Sequence, residues 1–289
     1  MMNVLVAIPT NGKRKEVFDI VKYISRSLSE IGMKPLFSIC TDDTSYFVKT
    51  PLKGTMYFSL PGKFDYSHSI IESIRRGILN FKPDFVSTIA DDFILPAKQF
   101  KNLIVPLLSG YDTTFSCWGS NEIAKTYPKF QYASELFVNR IANVAPKKLI
   151  PNYKNMLSYS FDYKSDFSSM IQLFSGLFAF RTETWNNVLK RMVEIFGSTR
   201  LGWALDTSLF LASSDIGLKV TNAPCDKVKE KNAPVSGEKV TRLAQIKEAF
   251  KYVNVFLRCT KQHEKLNKLS VIEAEMIKIV EDILNKSGV

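Results

Sequence analysis

Between Asn3 and Pro96 the chain repeats one pattern: a short apolar run, a polar or acidic turn, then a stretch whose apolar residues recur every three or four positions. Asn3 to Ile8 is such a run, closed by Pro9 and Thr10, and reads as a buried strand. Val17, Ile20, Val21, Ile24, Leu28 and Ile31 then fall on one face of a helix that Gly32 should stop. Leu36 to Cys40 is a second strand entering the polar turn Thr41 to Ser45, and Met56 to Leu60 is a third. Ser67 to Leu79 reads as a helix, and Phe85 to Ala90 as a fourth strand that runs into Asp91 and Asp92. Alternation of this kind predicts an α/β fold built on a doubly wound, mostly parallel sheet. Ligands in such sheets bind beyond the carboxyl ends of the strands, where Pro9-Thr10, Asp42-Asp43 and Asp91-Asp92 all fall.

Downstream the pattern breaks and then resumes. Ser120 to Met170 carries Tyr127, Tyr132, Tyr153, Tyr159 and Tyr163 among Lys, Asn and Ser residues with weak periodicity, and reads as helix and loop. Leu173 to Arg181 returns to strand, Thr184 to Ile195 to helix, and Leu218 to Thr221 to a short strand. A helical pair closes the chain, one helix on Val240, Leu243, Ile246, Phe250, Val253 and Leu257, the other on Leu269, Ile272, Met276, Ile279 and Ile283. The expected organisation is one α/β domain over residues 1–235, with 120–170 as an insert, and a C-terminal helical element over 236–289.

Composition narrows the class. With 45% hydrophobic and 23% charged residues, the 289-residue chain can bury a full core. No signal-peptide pattern opens the sequence, and no apolar run approaches the ~18 residues of a membrane span. Cys40, Cys117, Cys225 and Cys259 are far apart, which argues against a zinc site or a disulfide framework and suits a reducing cytoplasm. The net charge of +11 favours an anionic partner: a nucleotide diphosphate, nucleic acid or a membrane surface. No helix-turn-helix, zinc-finger or RNP-like pattern accompanies it, so nucleic acid is not expected, and nothing in the sequence supports peripheral membrane contact.

The sharpest chemical feature is Asp91-Asp92 at a strand end. Adjacent carboxylates repel unless a cation sits between them, and a divalent ion bridging a diphosphate resolves the repulsion with hard oxygen ligands, as Mg²⁺ or Mn²⁺ prefers. Alone, the pair also suits a solvated loop of helix-capping aspartates.

Taken together, VLVAIPT at Val4 to Thr10, SICTDDTS at Ser38 to Ser45 and STIADDFILP at Ser87 to Pro96 resemble, in order and spacing, the GT-A glycosyltransferases. That resemblance implies a GT-A-like, Rossmann-like domain in which Pro9 and Thr10 line the nucleotide site and Asp42 or Asp43 holds base or ribose. It also implies that Asp92 ligates the metal and that Asp91 lies nearer the donor sugar or ribose, or shares the metal. The family's DxD triplet is altered, with Ala90 in the place of its first Asp. Within the fold the chain is similar to mannosylglycerate synthase and related family-2-like glycosyltransferases, a retaining group. Gly62-Lys63-Phe64-Asp65 resembles a GKxD loop beside the donor diphosphate, implying that Lys63 supports the leaving phosphate and that Asp65 is on the donor side. Ser175 and Gly176, in the strand ending at Arg181, match the glycine strand on which a donor sugar approaches the backbone, although a bulge explains Gly176 equally well. Trp203, Asp206 and Thr207 match a W-x-x-D-T helix start near the reaction centre. There Asp206 would orient sugar or acceptor hydroxyls, with Trp203 and Thr207 on the acceptor side, while a plain N-terminal cap is the alternative for Asp206.

One departure bears on the cofactor. The group places a histidine metal ligand after its last strand, whereas this chain has Lys227, Lys229 and Lys231 there; its two histidines, His68 and His263, stand elsewhere. Water or phosphate would complete the shell of a Mn²⁺ or Mg²⁺ ion, or a lysine ammonium would stand in for part of its charge. The expected function is transfer of a sugar, most simply a hexose, from a nucleoside diphosphate sugar to an acceptor that the sequence does not identify. The alternatives are a nucleotidyltransferase, which would place carboxylates similarly but would need a glycine-rich phosphate loop, and a non-catalytic nucleotide-sugar-binding protein of the same fold.

Overall fold

The computed structural model describes residues 1–10, 16–42, 44, 52–61, 65–91, 93–94, 99–117, 176–225, 228–229, 239–267, 269–271, 273–274 and 278. Asp43, Lys63, Asp92, Ser175, Lys227, Lys231 and the tyrosine-rich stretch 120–170 lie outside these residues.

Strand β1 (Asn3–Thr10) leads into helix α1 (Glu16–Ser29), whose buried face is Val17, Ile20, Val21, Ile24, Ser27 and Leu28. Five of the six residues expected on that face are thus buried; Ile31 falls in the turn beyond the helix. Next come β2 (Lys34–Thr41), β3 (Thr55–Phe58), α2 (Tyr66–Phe81), β4 (Phe85–Thr88) and the two-residue β5 (Phe93–Ile94). After a 3₁₀ turn at Phe100–Leu103 follow α3 (Val105–Leu108), β6 (Thr113–Cys117), β7 (Phe178–Arg181) and α4 (Thr182–Phe196). A second 3₁₀ turn, Gly202–Ala204, opens into α5 (Leu205–Asp215), and β8 (Val220–Pro224), β9 (Val228–Lys229) and α6 (Lys239–Cys259) complete the order.

Seven strands form one sheet in the order β3-β2-β1-β4-β7-β6-β8. Every pairing in it is parallel except those of β7, which runs antiparallel to both β4 and β6. Alternate residues of β1 serve two separate apolar layers, as a sheet covered on both faces requires. Leu5 and Ala7 pack with α2, α4, α5 and α6 through Ile70, Ile74, Trp185, Phe210 and Phe250, whereas Val4, Val6 and Ile8 pack with α1 and α3 through Val17, Ile24 and Leu107. Helix α6 belongs to the first layer, where Ala249, Phe250, Val253, Phe256 and Leu257 are buried together with Leu269 beyond it. Among the described residues, no helix is long and apolar enough to cross a membrane.

Two features depart from the sequence pattern. Strand β6 is missing from it because Thr113, Thr114 and Ser116 make it polar; all three are buried, and Thr113 Oγ1 donates to the Ala179 carbonyl at 3.0 Å. Of the strand expected over Leu173 to Arg181, the described part is β7 from Phe178, preceded by Gly176 at a left-handed φ of +58°; residues 173–175 lie outside the described residues.

Candidate functional site

The antiparallel direction of β7 creates the site. Its first residues lie beside the carboxyl end of β4, and the register Phe85↔Arg181, Val86↔Phe180, Ser87↔Ala179, when continued, brings Gly176 opposite Ala90. The Cβ of Ala90 stands 3.8 Å from where a Cβ on Gly176 would lie, so the glycine reaches the strand end that carries Asp91. From the other side comes α5. Asp206, only 2% exposed, accepts a 2.7 Å hydrogen bond through Oδ2 from the Gly176 N–H. The cap of α5 is Ala204, without a side-chain bond, so Asp206 does not cap its helix; it joins the helix start to the glycine strand. Thr207, fully buried, faces the interior rather than solvent.

The first turn of α2 lies against the same point. Tyr66 sets its hydroxyl over Gly176, and its ring stacks on that of Trp203 with centroids 5.2 Å apart and planes at 23°. Asp65 caps α2: its Oδ1 accepts from His68 N and Ser67 Oγ, both at 2.8 Å. Ser67 Oγ in turn accepts from Leu201 N at 2.9 Å and Gly202 N at 3.2 Å, tying α2 to the turn that carries Trp203. The next N–H, that of Trp203, donates to Glu248 Oε2 of α6 at 2.8 Å. Burial pushes the Glu248 carboxyl above the ordinary glutamate value; the N–H of Trp203 pulls it back, and nearby Asp65 pushes it further up. At the rim, an Arg200 guanidinium nitrogen lies 3.3 Å from His68 Nε2.

A second part of the site lies at the ends of β1 and β2. Pro9 pairs with Cys40 and Thr10 with Thr41; both threonines are buried, and exposed Asp42 follows them. Burial pushes the Cys40 thiol up to about 11, a hydrogen bond with Ser69 of α2 works against that, and Asp42 adds to it. Helix α2 therefore touches both parts, through Ser69 on one side and Tyr66 on the other.

Of the residues expected from sequence, the structure brings Asp91, Gly176, Trp203, Asp206 and Asp65 to one region and Pro9, Thr10 and Asp42 to the adjoining one. Thr207 joins the first only as a buried neighbour of Asp206. Asp43, Lys63, Asp92 and Ser175 lie outside the described residues. Tyr66, Ser67 and Glu248 were not expected. Tyr66 and Ser67 directly follow the Gly62 to Asp65 segment, and Glu248 shares a helix face with Gln245 and Ala249, both buried, so a carboxylate on a covered face was its one visible signal.

Among the described residues, no three His, Cys, Asp or Glu side chains converge to hold a metal. Asp91 is the described member of the strand-end pair, half-buried at the end of β4, and its oxygen chemistry suits Mg²⁺ or Mn²⁺. Of the lysines found in place of the expected histidine, Lys229 is described: β9 pairs with β5 in a register that sets Lys229 opposite Phe93, two residues beyond Asp91 in sequence.

No protein-family model matches the chain, and no curated protein sequence does. Solved structures do. Glucosyl-3-phosphoglycerate synthase from Mycobacterium tuberculosis, in complex with Mn²⁺, uridine diphosphate and phosphoglyceric acid, superposes with a TM-score of 0.54 at 14% identity, covering 87% of this chain and 78% of that one. The same enzyme with Mg²⁺ and uridine diphosphate gives 0.53 at 14% identity, covering 87% and 79%. The chain therefore has the doubly wound sheet that its sequence pattern implied, in the GT-A, Rossmann-like form that the resemblance of its motifs implied.

Proposed function

We propose that the protein is a glycosyltransferase that moves a sugar from a nucleoside diphosphate sugar to an acceptor. The observation that carries this reading is the 2.7 Å bond from Gly176 N to Asp206, which joins two separate sequence motifs beside Ala90, at the strand end that leads into the third. The fold adds support, because the M. tuberculosis enzyme sharing it was crystallised with uridine diphosphate and a divalent ion.

In this reading Pro9, Thr10 and Asp42, with Asp43, bind base and ribose at the ends of β1 and β2. Asp91 and Asp92 would hold a Mn²⁺ or Mg²⁺ ion, which when bound offsets the charge of the leaving diphosphate. Lys63 would donate to the same phosphate oxygens. Ser175 and Gly176 would line the donor sugar with their backbone, the space of a Gly176 side chain being taken by the Tyr66 hydroxyl, and Asp206, held by the Gly176 N–H, would orient a sugar or acceptor hydroxyl. Trp203 stacked on Tyr66 presents an aromatic face to the acceptor side, and the tyrosine-rich stretch 120–170 supplies the rest of that wall. Asp65, whose Oδ1 is engaged at the start of α2, serves the donor side by fixing the loop before it. A hexose donor and retention of configuration are the finer form of the proposal, carried by the resemblance to the mannosylglycerate synthase group.

The backbone pairing of Lys229 with Phe93 favours a second reading of the cofactor alone, in which a lysine of this segment would stand in for part of the metal's charge.

The deciding experiment is a thermal-shift and turnover panel of nucleoside diphosphate sugars, each with Mn²⁺ and with chelator. Release of nucleoside diphosphate supports transfer. Pyrophosphate released from a nucleoside triphosphate would support a nucleotidyltransferase instead, and a raised midpoint without turnover would support a binding protein.

A further inference from the structure

We propose that Glu248 is a positioning residue of the site, which holds the Leu201–Ala204 turn from the C-terminal helix and thereby sets Trp203 and the start of the Asp206 helix. The turn begins with N–H groups that need partners. Neither the 3₁₀ segment nor α5 supplies a side-chain cap of its own, since Leu201 and Ala204 stand at their cap positions without such a bond. The caps arrive from other helices. Ser67 of α2 accepts from Leu201 N and Gly202 N, and Glu248 of α6 accepts from Trp203 N at 2.8 Å and also bonds the N–H of Ala204.

The backbone around Glu248 fits a designated acceptor. Gly202 has a left-handed φ of +54°, and a Cβ there would stand 2.6 Å from Glu248 Oε1 and 2.9 Å from Oε2, so the carboxylate lies directly on the glycine. Its negative charge sits where the amino-terminal end of α5 is electropositive. These contacts oppose a cost, because the carboxyl is half-buried and close to Asp65. A helix that only covered the core would place an apolar residue at this point. Glu248 is 45 residues from Trp203 in sequence, so the C-terminal helix adds order to the site as well as area to the core.

The kinetic part of the test rests on the transfer reaction proposed above; the spectroscopic part does not. Glu248→Met keeps the side-chain length and removes the oxygen acceptor, whereas Glu248→Gln keeps one. In protein labelled with 5-fluorotryptophan, the Trp203 resonance, assigned through Trp203→Phe, should move in the Met variant while that of buried Trp185 stays in place, and Gln should restore it. The Met variant should also lose about 10-fold to 100-fold in kcat with less than about a threefold change in donor KM, as expected when a reacting group is misplaced by roughly an ångström. An unmoved Trp203 resonance in the Met variant would overturn the proposal, as would equal loss in Met and Gln. Should the wild-type protein turn over no donor, the transfer reading fails, and the Trp203 resonance still decides the role of Glu248.

Discussion

The hydroxyl of Tyr66 occupies the space in which a side chain at Gly176 would begin, for a Cβ there would lie 2.1 Å from the phenolic oxygen. Steric exclusion and the φ of +58° both demand glycine, and the two demands can be separated. Gly176→Ala should destabilise the protein by about 1–3 kcal/mol, from backbone strain and displacement of Tyr66. In a Tyr66→Phe background part of that cost should vanish and the strain should remain, which a double-mutant cycle of urea unfolding measures. Full additivity would show that the hydroxyl does not constrain Gly176.

Asp206 is next. Asp206→Asn retains an oxygen that can accept from the Gly176 N–H, so the fold should survive with a small change in Tm, while sugar transfer falls about 10²-fold or more if the carboxylate acts on a hydroxyl proton. Asp206→Ala strands a buried N–H and should cost a further 1–3 kcal/mol or so of stability. Parallel melts and turnover assays check both; wild-type transfer by the Asn variant would remove Asp206 from the chemistry.

Stability should depend on pH through two glutamates of opposite sign. The folded-state value of Glu248 is raised by burial, so its contribution is fully present below the ordinary 4.5 and is lost as pH rises through the raised folded value. Hydrogen bonding to Arg75 lowers the Glu72 value, so its contribution is present above 4.5 and lost as pH falls through the lowered one. Relative to wild type, Glu248→Gln should therefore gain stability on going from acid to neutral pH, and Glu72→Gln should lose it. Urea unfolding across that range reads the two slopes, and slopes of the same sign would contradict the assignment.

The C-terminal helix should behave as core. Phe250, 2% exposed, packs in the layer that holds Leu5, Trp185 and Phe210, so Phe250→Ala should cost about 3–5 kcal/mol. Lys247→Ala, on the exposed side of the same helix, should change stability by less than about 0.5 kcal/mol. A melt in which the two variants match would mean that α6 is an appendage.

What could be read along the chain was whatever repeats along it. Apolar residues spaced by one turn of helix or grouped in short runs located β1, α1, β2, β3, α2 and β4, and their alternation implied the doubly wound sheet with acidic turns at its carboxyl edge. Strand β6 escaped because Thr113, Thr114 and Ser116 are buried yet polar, with Thr113 bonded across the sheet to the Ala179 carbonyl, so the strand carries no apolar signature. The direction of β7, the bond from Gly176 to Asp206 across 30 residues, and the capping of the Trp203 turn by Ser67 and Glu248 across 135 and 45 residues were decided by the tertiary structure alone. Periodicity records which face of an element is buried. It holds no record of which distant N–H a carboxylate will meet, because that depends on how the buried faces pack together.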